Sequence, residues 1–220
     1  MFLHECGHFV TARLFGWKVE QIVFYPYGGS SNFSEDINRP LKEELWILLL
    51  GPLTQILCYV VLSQLPLLPK TLELLKLYHY SILIFNLLPI YPLDGGKLLN
   101  IVLSYHLSYQ KSLRYSLIFS FLILSGLFCY FLPQAFSFNL ILMFLFLWTK
   151  IWGEYRKRDY YYQKFLLERY LKEYPYKKRK IVDHMNGMMR DHRHIIHQNN
   201  HYYTERQMLE KKFKKDRFDA

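Results

Sequence analysis

The stretch "LWILLLGPLTQILCYVVLSQLPLL" (45–68) carries no Asp, Glu, Lys or Arg. As a helix it is long enough to cross a bilayer core of about 30 Å. Working outward, "LYHYSILIFNLLPIYPL" (77–93) is shorter and broken by Asn86, Pro89 and Pro92. "YSLIFSFLILSGLFCYFL" (115–132) and "FSFNLILMFLFLWTKIW" (136–152) form a close-spaced pair of spans. The opening segment, "MFLHECGHFVTARLFGW" (1–17), is apolar apart from His4, Glu5, His8 and Arg13. The pattern predicts an all-α polytopic membrane protein with about five transmembrane segments.

Charge divides the 220-residue chain in two. Residues 1–153 carry 10 Lys and Arg against 8 Asp and Glu; residues 154–220 carry 18 against 10. The net +10 of the whole chain is therefore mostly in a basic tail. Such a tail suits nucleic acid, acidic lipid headgroups or an acidic partner. The reading taken is a solvated cytosolic segment beside the lipid bilayer, with no nucleic-acid partner. Arg13, Lys18, Arg39 and Lys42 precede the first clear span, and Lys150, Arg156, Lys157 and Arg158 follow the last. The turn near Pro133 has no Lys or Arg. This alternation predicts that residues 17–42, the region around 97–114 and the tail face the cytosol. Cys6, Cys58 and Cys129 are odd in number and contain no CxxC pair, which argues against disulfides and against a cysteine metal site. No basic n-region is visible, so no cleavable signal peptide is expected.

Between the first two apolar segments lies "KVEQIVFYPYGGSSNFSEDINRP" (18–40). Its alternating apolar residues, followed by Gly28-Gly29, predict a small β-hairpin. Three regions follow: a membrane-embedded domain over 1–153, a helical linker over 154–180 and a tail over 181–220. The basic run Lys177 to Lys180 is read as the end of the linker. His184, His192, His194, His197 and His201 in the tail lack a fixed ligand spacing and are read as solvated side chains.

The chemistry is concentrated at the opening. In "HECGH" (4–8), His4 and His8 are four residues apart, so one helical face can aim both imidazoles at one metal ion. Glu5 sits about 100° round the helix, where it can serve as general base on a water whose pKa zinc lowers. Gly7 removes bulk beside them. Ionisable groups in an apolar segment are costly and usually functional. A catalytic zinc site takes three protein ligands and keeps one position open. Asp94, in "NLLPIYPLDGGK" (86–97), is the sole acidic residue between Glu73 and Glu154 and is the favoured third ligand. His79 and His106 are alternatives, and "DGG" also fits a simple turn.

HECGH taken with N-x-x-P-x-x-x-x-D-G (Asn86, Pro89, Asp94, Gly95) resembles the site-2 protease family of intramembrane zinc metalloproteases, peptidase family M50. The order of "YPYGG" (25–29), "NRPLKEE" (38–44), "GPL" (51–53) and "LLPIYPLDGGKLL" (87–99) is similar to the sporulation branch of that family. The likeness runs from His4 to about Tyr170. It implies one Zn2+ ion held by His4, His8 and Asp94, with Glu5 catalytic. It also implies substrate-holding roles for Asn86 and Pro89, and for Tyr27 in a membrane-dipping hairpin. The implied activity is an intramembrane metalloendopeptidase that removes the prosequence of pro-sigma-K. Its implied location is the mother-cell membrane surrounding the forespore. The implied partners are two inhibitory membrane proteins, stage IV sporulation protein FA and bypass-of-forespore protein A, with homo-oligomer formation left open. The family also places a whole transmembrane helix before the metal-binding one, so an upstream helix is expected. Relatives end in a cystathionine-β-synthase-type domain, which 181–220 resembles only in an incomplete or degenerate form. Two other readings are a catalytically impaired relative that binds partners or substrate, and a transporter whose broken span lines a solute path.

Overall fold

The computed structural model describes residues 2–25, 28–33, 37–66, 68–134, 137–198 and 200–218; for 19–25, 28–33 and 215–218 the backbone alone is described. Tyr27 lies outside the described residues. Helix α1 (Phe2–Leu14) leads into an antiparallel pair, β1 (Val19–Tyr25) and β2 (Gly28–Phe33), with an irregularity between Val19 and Gln21. Helices α2 (Leu41–Ser63), α3 (Pro69–Leu87), α4 (Asp94–His106), α5 (Tyr109–Phe131) and α6 (Phe138–Leu171) follow. The chain ends in β3 (Lys178–Val182), β4 (His192–Gln198), β5 (His201–Thr204) and α7 (Glu205–Phe218).

Helices take up residues 2–14, 45–63, 77–87, 115–131 and 138–152 of the five apolar segments. Among the described residues, α2 and α5 are the helices long and apolar enough to cross a membrane. Both leave large apolar side chains on the outside, such as Leu57 and Val61 on α2 and Phe121 and Leu122 on α5. In water such exposure would be costly, whereas in hydrocarbon it costs nothing.

Asp94 begins helix α4, so the simple turn that "DGG" also fits does not form there. Paired glycines look like helix breakers, but here they serve close packing. A Cβ on Gly95 would lie 2.2 Å from the Leu87 carbonyl oxygen, and one on Gly96 would lie 2.4 Å from the Tyr91 nitrogen. Only residues without a Cβ let α4 start so near the end of α3. The loop between them is fixed from the other side, because Tyr91 N–H donates to Ser120 Oγ on α5 at 2.9 Å. A buried serine row continues that seam: Asn100 Nδ2 donates to Ser116 Oγ at 3.0 Å, and Ser104 Oγ donates to Ser112 Oγ at 2.9 Å. Polar pairs of this kind hold helices together where no hydrophobic drive exists between them. Ile90, Leu113, Leu117, Phe144 and Leu147 fill the core between the loop, α5 and α6.

Helix α6 runs without a break through residue 153, and Lys178, Arg179 and Lys180 belong to strand β3. Strand β3 pairs in parallel with β4, which pairs antiparallel with β5, so the tail adds a sheet to the helical body. His194, read as solvated, is 3% exposed. It belongs to a polar cluster built around Arg169 of α6. That guanidinium donates to Asn38 Oδ1 at 2.6 Å, to the Met189 carbonyl at 2.8 Å and to Glu205 Oε1 at 2.9 Å. Met189 N–H donates to His194 Nε2 at 3.0 Å, leaving the proton of the neutral ring on Nδ1, which faces Glu205 Oε2 at 3.3 Å. The tail is thus keyed to the segment before α2 by buried, mutually satisfied polar groups.

One more contact crosses the chain. Pro40 precedes α2 and offers no side-chain cap. The Asp191 carboxylate, 150 residues away, accepts from Leu41 N–H at 3.1 Å. Beside it, Arg190 pairs with Glu44 at 2.7 Å. The first turn of α2 is therefore capped by the tail.

Candidate metal centre

His4 and His8 lie one turn apart on α1 and are both buried, and Asp94 opens α4. The structure brings the three together: His4 Nε2 lies 2.9 Å from Asp94 Oδ2, His8 Nε2 3.1 Å from the same oxygen, and the two imidazole nitrogens 3.1 Å apart. The approach depends on two glycines. A Cβ on Gly7 would lie 2.5 Å from the Leu50 carbonyl oxygen, and one on Gly51 would lie 2.2 Å from His8 Cε1. Helices α1 and α2 therefore cross with their backbones nearly touching, and the His8 ring occupies the space above Gly51.

The remaining ring nitrogens determine what the cluster can bind. His8 Nδ1 faces the Ile47 carbonyl at 2.7 Å, a group that can only accept, so Nδ1 carries the proton. His4 Nδ1 faces Gln55 Oε1 at 2.9 Å. The Gln55 amide is oriented by its own Nε2–H, which donates to the His79 carbonyl at 3.0 Å. Both imidazoles thus present an Nε2 lone pair, and Asp94 adds a carboxylate oxygen. Three acceptors converging within about 3 Å repel one another unless a cation lies between them. A tetrahedral ion with bonds of about 2.0–2.1 Å sets its ligands about 3.3 Å apart, close to the spacing seen here. The residues fit a zinc ion. Gln55 and the Ile47 carbonyl are the outer partners that orient such ligands. No local sequence signal marks either one; the apolar context of Gln55 inside a charge-free span is the nearest hint.

Glu5 is buried in the same turn as His4. Asn86 is buried in the last turn of α3, and Pro89 is half-buried in the loop that follows. Among the alternative ligands, the His79 ring stacks on Tyr59 at 4.2 Å and reaches the centre only through its carbonyl and Gln55. His106 ends α4, well along the helix from Asp94. Lys97, one turn on from Asp94, sets its Nζ 3.6 Å from the outer oxygen Oδ1.

A pair of histidines on one helix, with a carboxylate from the start of a distant one, is a donor set that could hold a metal ion. The model of peptidase family M50 matches residues 1–70 and 64–127, and the chain belongs to that family. The chain is 39% identical over 174 residues to stage IV sporulation protein FB of Bacillus subtilis, covering 76% of this chain and 60% of that protein. It is 37% identical over 123 residues to a zinc metalloprotease of Methanocaldococcus jannaschii, covering 51% of this chain and 34% of that one. The solved site-2 protease from Methanocaldococcus jannaschii superposes with a TM-score of 0.53 at 29% identity, covering 70% of this chain and 72% of that one. The chain thus spans 60% or less of the length of these curated relatives.

Proposed function

We propose that this chain is a membrane-embedded zinc endopeptidase that removes the prosequence of a membrane-associated transcription-factor precursor resembling pro-sigma-K during sporulation. The observation that carries the reading is the meeting of His4, His8 and Asp94 through atoms that can only accept, in a chain of family M50. One zinc ion is held by these three residues, and about five segments span the membrane of the mother cell with the tail in the cytosol. Stage IV sporulation protein FA and bypass-of-forespore protein A are its inhibitory partners.

When bound, zinc supplies Lewis acidity to the scissile carbonyl and to the attacking water. The chain's own groups do the rest. The Glu5 carboxylate takes a proton from the water as its oxygen bonds to the carbonyl carbon. Glu5 then delivers that proton to the amide nitrogen as the C–N bond breaks. Its burial keeps the carboxylate away from bulk solvent. A helical substrate hides its carbonyls in its own hydrogen bonds and must be extended first. Both β1 and β2 have an open edge in their two-stranded sheet, to which an extended strand can add. Asn86 and Pro89, beside the start of α4, hold the strand against the centre.

The test is co-expression of the protein with a prosequence substrate, comparing wild type with Glu5→Gln. Loss of cleavage with zinc content retained supports Glu5 as the base. Cleavage that survives the substitution overturns the mechanism.

A further inference from the structure

Beside the metal centre, between α2, the end of α3 and α4, lies a cavity of about 210 Å³. Its walls include Leu48, Pro52 and Leu53 of α2, Leu87 of α3, and Leu98 of α4. Asp94, whose Oδ2 faces the two histidines, also lines it. Asp94 is the one polar residue in the lining, and both its oxygens are engaged, Oδ2 by the histidines and Oδ1 by Lys97. The cavity therefore offers an apolar side chain nothing but hydrocarbon, and offers a polar one no partner.

We propose that the cavity between α2 and α4 is a specificity pocket that takes an apolar side chain of the substrate, one flanking the scissile bond. This rests on the proposed endopeptidase reading and adds the substrate preference to it. A bilayer acyl chain is the rival occupant. Two things favour the peptide: the pocket abuts Asp94, the residue that would hold the metal, and its volume of about 210 Å³ is small.

The test uses the full-length zinc-loaded protein in detergent and a set of substrates. Each position within three residues of the cut is changed in turn to Ala, Leu, Phe or Asp. One position should favour Leu over both Ala and Asp by at least about tenfold, as an apolar pocket discriminates. Leu98→Phe, which fills the cavity, should reverse that preference towards Ala. Absence of any preferred position, or a Leu98→Phe effect equal on all substrates, overturns the pocket and leaves the endopeptidase reading intact. If wild type cleaves none of the set, the endopeptidase reading fails, and the pocket is judged by a separate arm. In that arm a substrate carrying photoreactive leucine at each position in turn is irradiated with the Glu5→Gln protein. Insertion into residues 48–53 and 94–98 from a single position supports the pocket. Insertion elsewhere, or only into lipid, overturns it.

Discussion

The imidazole of His8 occupies the space in which Gly51 would carry its Cβ, with Cε1 2.2 Å from that position. In that position the ring points Nε2 at Asp94, 3.1 Å from Oδ2. Gly51→Ala should therefore displace the His8 ring. The expected result is a loss of about tenfold or more in zinc affinity and a cost of about 1–3 kcal/mol from overpacking. Zinc content after dialysis and thermal unfolding in detergent measure the two effects. Retention of full zinc content by the variant would count against the crossing as drawn.

Gln55 orients His4 from outside the ligand set. Replacing it with Leu keeps the size and removes the acceptor for Nδ1–H, and also frees the His79 carbonyl. Outer partners of this kind change metal affinity by about 10–100-fold. Titration of the apo protein against a competing chelator should show a drop in that range. Gln55→Glu, which keeps an acceptor, should fall less than Gln55→Leu.

Arg169 is the hub that fastens the tail to the body, and its side chain is 2% exposed. Arg169→Leu leaves the half-buried Glu205 carboxylate beside His194 without its cation. Breaking a buried pair from one side costs about 3–5 kcal/mol. Hydrogen exchange should quicken in 192–198 and 205–214, while α5 stays protected. Adding Glu205→Gln should recover part of the loss, because the orphaned charge is then gone.

Acid should loosen the same joint. Burial, together with the neighbouring Arg169, pushes the His194 pKa below its ordinary value, although Glu205 pulls the other way. Protonating the ring would set a second N–H against the Met189 N–H. Burial also pushes the Glu205 carboxyl up, but His194 and Arg169 overcome that and hold it below its ordinary value. Both groups have lowered pKa values in the folded state. Each contributes stability above its ordinary pKa, about 6.5 for histidine and about 4.3 for glutamate, that is lost as pH falls towards the folded value. Thermal unfolding of the tail should therefore shift down between pH 7.5 and 5.5, and His194→Gln should flatten the slope. An unchanged midpoint across that interval in wild type would refute the linkage.

Much of the centre can be read from the sequence, because the i, i+4 spacing of His4 and His8 is a geometric statement in itself. Asp94 stands out as a lone acid in a long apolar stretch, and the charge-free span at 45–68 marks α2. The start of α4 is not readable in this way. Its two glycines carry a local propensity for turns, and what overrides it is the backbone of Leu87, Leu88 and Ile90 lying where two Cβ atoms would be. Gln55, Ile47 and the serines of α5 are equally silent, since their partners are up to 51 residues away in the chain. His194 misleads for a related reason. Its polar neighbours in sequence suggest solvent, but Arg169 and Glu205, 25 and 11 residues away, enclose it.

The cap on α2 has a consequence for how the molecule is assembled. The helix that carries both outer partners of the histidines emerges early from the ribosome, and its first turn waits for a carboxylate made 150 residues later. Until Asp191 has been synthesised and the tail has closed on Asn38, the amino end of α2 is unfinished. The order of synthesis thus delays completion of the helix that carries Ile47 and Gln55 until almost the whole chain has been made.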